Sequence, residues 1–310
     1  MSAAVTSPSE IGHRLSNTEE LKPFLIAVGS FQPDLIFGVT ERLFHYTDLG
    51  GFQGIISGHD LWLTHLRYSN DEEELLHGHR VVSAVVADEI NSSTTPEART
   101  FLEAVKQKLT QQVDVYICCF CLEDNLLSQW RAYGANGTGV SIGIDPTEFA
   151  SLTGPDSPPG GLLRVWKVFY EEKRQKNIIK TLLREGQSPT QPGTPQERAE
   201  KTAAAIQFFL PTFKNEHFAG EQECRMIFTP QAGFQLSPKF RVGRSMLVPY
   251  FSLKDLRGLL TQQLNELPIR SVLLGPSGNK LLNKGSAEMM LRAYNYATVS
   301  VDCSAIPFRG

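Results

Sequence analysis

The sequence predicts an α+β fold, a mixed, split β-sheet with flanking helices, and three features lead there. Strand-like and helix-periodic runs are interspersed without regular βαβ alternation. Val113 to Cys121 is strongly apolar and long enough to lie in the middle of a sheet. Leu43-Phe44-His45-Tyr46-Thr47 reads as a strand carrying an inward His and Thr, with the strand Leu61-Trp62-Leu63-Thr64 soon after, and such polar strands suit a cleft better than a plain core. No internal repeat is visible. A chain of 310 residues with 41% hydrophobic content suffices for one sizeable domain, or a domain with an insertion.

The elements follow in order. Met1 to Ser9 is a Ser/Ala/Thr-rich tail. Ile11 to Val28 gives one or two short helices with Leu21, Phe24, Leu25 and Val28 on one face, and Pro33 breaks the chain after them. Residues 1–40 are thus expected as an N-terminal helical cap, and residues 41–310 as a single domain. Asp48 suits a helix N-cap, Leu49 to Ile56 has helical spacing, and Gly58 is placed to end that helix. Tyr68-Ser69-Asn70-Asp71 is a polar turn before a long helix, Glu72 to Asn91, whose acidic start favours its N-terminus. In that helix His77 and His79 fall on different faces, as solvated or packed residues rather than metal ligands.

Glu97 to Gln112 is a further helix, Leu126 to Tyr133 a short one, and Gly139 to Ile144 a strand. Ser151 to Gly161 is a turn region, Leu163 to Tyr170 a strand, and Glu171 to Arg184 a helix bearing the densest basic run: Lys173, Arg174, Lys176, Lys180 and Arg184. Gly186 to Gln196 has the lowest complexity and is expected as a mobile insertion. Arg198 to Lys214 resumes as helix. Glu221 to Phe228 reads as a strand whose alternation would put Glu221, Glu223 and Arg225 on one face. A hairpin within Gly233 to Val248, helices at Ser252 to Leu264 and Asn283 to Tyr294, and strands at Ser271 to Gly275 and Ala297 to Cys303 complete the chain.

A formal net charge of −3 argues against a broad, charge-driven grip on nucleic acid, though not against a local basic patch. Five cysteines, three of them at Cys118, Cys119 and Cys121, form neither an even disulfide framework nor the spacing of a zinc site, so no metal is expected. There is no signal-peptide pattern and no apolar run of membrane-spanning length. The expectation is a cytoplasmic protein without a membrane partner.

Six motifs recur in order: Phe44-His45-Tyr46-Thr47; Leu61-Trp62-Leu63-Thr64; Tyr68-Ser69-Asn70-Asp71 with Glu73; Cys119-Phe120-Cys121; Ser128-Gln129-Trp130-Arg131-Ala132-Tyr133-Gly134; and Glu221-Gln222-Glu223-Cys224-Arg225. Together they resemble the signature of a widespread bacterial family of unknown function, over roughly Leu43 to Gly275. The arrangement is also similar to the ADP-ribosyltransferase superfamily, where a His-x-Thr or His-x-Ser strand holds the ribose of NAD and a later Glu is catalytic. That resemblance rests on His45, Thr47 and Glu223.

The resemblance implies an NAD-dependent ADP-ribosyltransferase acting on a macromolecular acceptor, RNA or protein, in the setting of a bacterial toxin or phage-defence effector with an antitoxin or regulator as partner. It implies catalytic roles for Glu223, His45 and Glu221. NAD as co-substrate would be held by His45, Tyr46, Thr47, Trp62, Tyr68, Asn70, Trp130, Arg131 and Arg225. Of these, Tyr46 or Tyr68 would stack on nicotinamide, and Arg131 or Arg225 would pair with the pyrophosphate. Aromatics at helical spacing, as in Trp130 and Tyr133, equally suit simple packing. Two other readings stay open: a non-catalytic nucleotide-sensing module, and a hydrolase using the His45 cleft with Asp71 or Cys119. The basic run suits either a solvated helix face or an RNA contact.

Overall fold

The apolar stretch ending at Cys121 forms strand β3 (Tyr116–Cys121), and the sheet is assembled around it. The computed structural model describes residues 18–29, 39, 41–68, 72–111, 113–152, 160–231, 233–243, 245–259 and 266–308. Before β3 come β1 (Leu43–Thr47) and β2 (Trp62–His65); after it come β4 (Val140–Ile144), β5 (Gly161–Lys167), β6 (Glu223–Pro230), β7 (Lys239–Val242), β8 (Leu247–Ser252), β9 (Ile269–Leu274) and β10 (Ser300–Cys303). One edge of β3 pairs with β6 from Tyr116 opposite Phe228 to Cys121 opposite Glu223, and β6 pairs in turn with β5.

The other edge of β3 is shared. Cys121 pairs with Phe44 of β1, whereas Ile117 and Tyr116 pair with Thr64 and His65 of β2. Cys118 to Phe120 are left between the two, in a gap. From β1 the sheet continues through β4 and β9 to β10, and from β2 through β8 to β7. β9 and β10 run parallel and the other pairs antiparallel, so the sheet is mixed and open.

One face of the sheet is covered by α2 (Leu49–Gly58), α8 (Leu253–Gly258) and α9 (Lys280–Ala293). Phe52, Ile55, Ile56, Leu253, Leu256 and Leu291 pack there against Leu43, Phe120, Ile142 and Met226. Each such side chain contributes about 1.5–3 kcal/mol by leaving water. On the opposite face a second core joins α1 (Thr18–Gly29), α3 (Glu72–Ser92), α4 (Pro96–Leu109), α6 (Glu172–Gln187) and α7 (Pro195–Phe209) to Leu162 and Trp166 of β5. The N-terminal helix belongs to this core through Leu21, Phe24 and Val28.

Local chemistry accounts for the helix ends. Asp48 caps α2 as its sequence position suggests, its Oδ1 accepting from the Gly51 N–H at 2.6 Å. The other end differs from expectation: Gly58 remains helical, and His59 takes the left-handed conformation, φ 51°. Its partners explain how a non-glycine residue is held there, since Nδ1 meets the Tyr296 hydroxyl at 3.0 Å and its carbonyl accepts from Arg257 at 2.8 Å.

The Gly186–Gln196 stretch is a helix-to-helix connection rather than a projecting insertion. Arg198 binds the Ser188 carbonyl, and Thr194 with Glu197 forms a capping box that starts α7. His77 is buried and donates from Nε2 to Gln175 Oε1 at 2.9 Å. The tail Met1 to Ser9, Pro33 and the Ser69-Asn70-Asp71 turn lie outside the described residues. Among those described, no helix is long and apolar enough to cross a membrane, and no group of three His, Cys, Asp or Glu is placed to hold a metal ion.

Candidate active site

The gap on β3 is where the site begins, because the backbone carbonyl of Cys119 has no strand there to bond. His45 supplies the partner: its Nδ1 lies 2.9 Å from that oxygen. A carbonyl oxygen only accepts, so Nδ1 carries the proton and Nε2 is left as an acceptor. Burial lowers the pKa of the ring against the help of this bond, which keeps the imidazole neutral.

Strand alternation turns Phe44 and Tyr46 to the side opposite His45, onto the face that also carries Cys119, Cys121 and Glu223. A cleft of about 210 Å³ opens on that face, with His45 reaching it through the gap. Trp62 and Tyr68 line it. The Trp62 ring is half-exposed and lies on Tyr250, centroids 4.5 Å apart. Tyr46 lines the cleft with a fixed ring: its hydroxyl donates to the Glu123 carbonyl at 2.9 Å and accepts from the Leu126 N–H at 3.0 Å.

Four expected ligand contacts are placed differently. Thr47 shares the side of His45 and packs under α2, where a Cβ on Gly51 would come within 2.0 Å of its Oγ1. That approach is open only to glycine. Trp130, on α5 (Leu127–Ala132), is fully buried; it meets Tyr46 edge-on at 4.9 Å and donates from Nε1 to Asn125 Oδ1 at 2.9 Å. Packing therefore accounts for it. Arg131 points away from the cleft, over the Phe308 ring at 5.3 Å. Arg225 is buried in a network with Glu223 and cannot meet a pyrophosphate. Asn70 lies outside the described residues.

The acidic cluster is built from two different pieces of backbone. Glu223 begins β6, but Glu221 ends a short 3₁₀ turn, Glu216–Glu221, and Gln222 between them is left-handed, φ 47°. The expected alternation over Glu221 and Glu223 is therefore broken, yet the two carboxylates converge. Lys214 Nζ, itself buried, reaches Glu221 Oε2 at 2.5 Å and Glu223 Oε2 at 3.0 Å. Arg225 grips Glu223 in bidentate fashion, Nε to Oε1 at 2.7 Å and Nη2 to Oε2 at 2.9 Å, and donates from Nη1 to the Pro211 carbonyl. The Tyr170 hydroxyl accepts from the Glu223 N–H at 2.8 Å.

Burial of Glu223 opposes its charge, but the charge and hydrogen bonds of Arg225, then Lys214 and the Cys119 thiol, outweigh it and hold the carboxyl at about 2. Those donors fill the roughly four acceptor positions of a carboxylate. The Cys119 side chain is open to the cleft yet deep within the molecule; burial, with Glu223 beside it, pushes its thiol well above the usual range. A thiol so raised is a poor nucleophile.

Acid should therefore weaken the fold in two stages. His45 has a folded pKa below its free value of 6.5, so stability falls once pH drops below 6.5 and the unfolded chain alone takes a proton. Glu223 has a folded pKa of about 2 against 4.5 free; its contribution is complete above 4.5 and lost as pH falls toward 2. That loss is about 3 kcal/mol. Thermal unfolding followed from neutral pH down to about pH 3 is expected to show a Tm that declines below 6.5 and steepens below 4.5. A level profile would contradict the charged network.

Gln129, Tyr133, Lys214, Thr64 and Arg241 line the cleft and were not among the expected site residues. Gln129 and Tyr133 face the cleft, and their i, i+4 spacing, on α5 and at its C-terminal cap, was the available signal. Lys214 had none, since no periodicity links it to an acid nine positions on. Asp71 lies outside the described residues, and Cys119 is unsuited to nucleophilic chemistry, which leaves a hydrolase little support.

No curated protein and no solved structure matches the chain. Residues 129–226 do match the model of a family described as "Protein of unknown function (DUF2971)". That stretch begins at Gln129 and ends at Met226, so it spans Lys214, Glu221, Glu223 and Arg225; over the residues that build the acidic side of the cleft, this chain is similar to a family whose function is unknown.

Proposed function

We propose that the chain is an NAD-dependent ADP-ribosyltransferase that modifies a macromolecular acceptor. The observation that carries this reading is the convergence on one cleft of a neutral His45 and two carboxylates, Glu221 and Glu223, beside the aromatic rings of Tyr46, Tyr68 and Tyr133. The ADP-ribosyltransferase resemblance of the His45 strand and Glu223 supports it. A cleft of about 210 Å³ is smaller than one enclosing a whole drug-sized ligand, for which ~300–1,000 Å³ is usual. It would take one end of NAD and leave the rest over its mouth.

In this reading His45 Nε2 accepts from a hydroxyl of the nicotinamide-side ribose. The glycosidic C–N bond breaks, nicotinamide leaves with the electron pair, and the ribose becomes oxocarbenium-like. The acidic cluster stabilises that positive charge. Glu223 acts through its fixed charge, its acceptor positions being occupied, and Glu221 is the carboxylate placed to meet the ribose or to take the proton of the incoming nucleophile. The acceptor then bonds to the ribose carbon. The basic run gives RNA little support: Lys176 binds Glu172 at 2.6 Å and Lys180 binds Glu89 at 3.5 Å. The labelling experiment below decides the acceptor class, and the toxin or defence setting rests on resemblance alone.

A second reading, a non-catalytic nucleotide sensor, is favoured by the complete pairing of Glu223. One experiment separates the two. The purified chain is given NAD labelled in the adenylate phosphate, together with cellular protein or RNA, and nicotinamide release and label transfer are followed. Release with label on one acceptor class is the expected result. NAD bound but left whole would support the sensor, and NAD neither bound nor cleaved would remove the transferase reading.

A further inference from the structure

The cleft holds a guanidinium that neither expected arginine provides. Arg241 stands on β7, the outermost strand of its half of the sheet. Register links Lys239 to Tyr250 and Tyr250 to Thr64, so Arg241 shares the cleft face with Thr64, Tyr250 and Trp62. Its side chain crosses β8 and lines the cleft, with Nη2 reaching Thr64 Oγ1 at a long 3.4 Å. Arg241 Nε is buried without a hydrogen-bond partner, a costly condition for a charged donor. Similar Nε atoms occur at Arg164, Arg198 and Arg257, but these side chains do not line the cleft. The N–H groups along one edge of a guanidinium are parallel and match two oxygens of a phosphate. On the same cleft the half-exposed Trp62 ring, one side of it against Tyr250, offers a flat face on which a base can stack.

We propose that Arg241 and Thr64 form a phosphate anchor and Trp62 an adjoining ring platform, so that the ligand of the cleft is a nucleoside phosphate. The transferase reading enters at one point, in identifying the anchored group as the pyrophosphate of NAD.

Calorimetric titration of the full chain with NAD, ADP-ribose, ADP and adenosine tests this, using wild type, Arg241→Gln and Arg241→Lys, with melting measured alongside. The Gln variant is expected to lose about tenfold or more in affinity for the three phosphorylated ligands, with adenosine binding unchanged. The Lys variant, keeping the charge but not the fork, should recover part of the loss, and it replaces the Gln variant if that one fails to fold. If wild type binds NAD and Arg241→Gln binds it equally well, the anchor is wrong and the transferase reading stands. If wild type binds ADP but not NAD, and the variant loses ADP, the anchor stands and the transferase reading falls. If wild type binds none of the phosphorylated ligands, both fall.

Discussion

Glu223→Gln is expected to destabilise the protein by about 3–5 kcal/mol, and to abolish nicotinamide release in whatever fraction remains folded. The change is almost isosteric, so sequence alone would suggest a quiet substitution. The surroundings say otherwise. Glu223 is the shared counter-ion of Lys214 and Arg225, both nearly inaccessible to solvent, and it accepts from each at 3.0 Å or less. An amide would leave Arg225 without a compensating charge and turn an N–H₂ group toward one of the cations. Chemical denaturation compared with wild type gives the measurement. A Gln variant of unchanged stability would mean that the network contributes little, and Glu223 could then be judged by its kinetics alone.

Glu221→Gln is expected to behave in the opposite way, keeping the fold while lowering nicotinamide release by about 10²–10⁴-fold. Glu221 sits at the end of a short turn with its side chain partly solvated, 19% exposed against 7% for Glu223. Lys214 would keep Glu223 as its counter-ion. Single-turnover release of nicotinamide, with Tm as the control for folding, separates the two acids. Turnover near wild type in a folded Glu221→Gln protein would move the chemistry to another residue.

Much of the framework was legible because it depends on local rules. The Asp48 cap, the helical face of Phe52, Ile55 and Ile56, and the mid-sheet position of Cys118 to Cys121 follow from spacing and polarity. The site was legible only in part. Alternation failed at Gln222, because the sequence gives no sign that this residue is left-handed, and the two acids therefore arrive from separate elements. Trp130 belongs to a motif that reads as a ligand wall, but its N–H is satisfied by Asn125 and its ring by Tyr46, contacts that depend on tertiary structure. Lys214 was invisible because no periodicity links it to the acids seven and nine positions on, and Arg241 because it reaches Thr64 across elements distant in sequence.

The shared edge of β3 separates two properties that most clefts must vary together. Glu223 hangs from β6, which pairs with every residue of β3, and Glu221 is tied to it through Lys214, whereas Arg241 and Trp62 hang from an arm joined to β3 through two residues of β2. Tilting that arm alters the span between acid and arginine without breaking a ladder bond in the acidic half. Ligand size can therefore drift during evolution through changes in β2, β8 and β7 while the charge arrangement that would perform the chemistry is inherited intact.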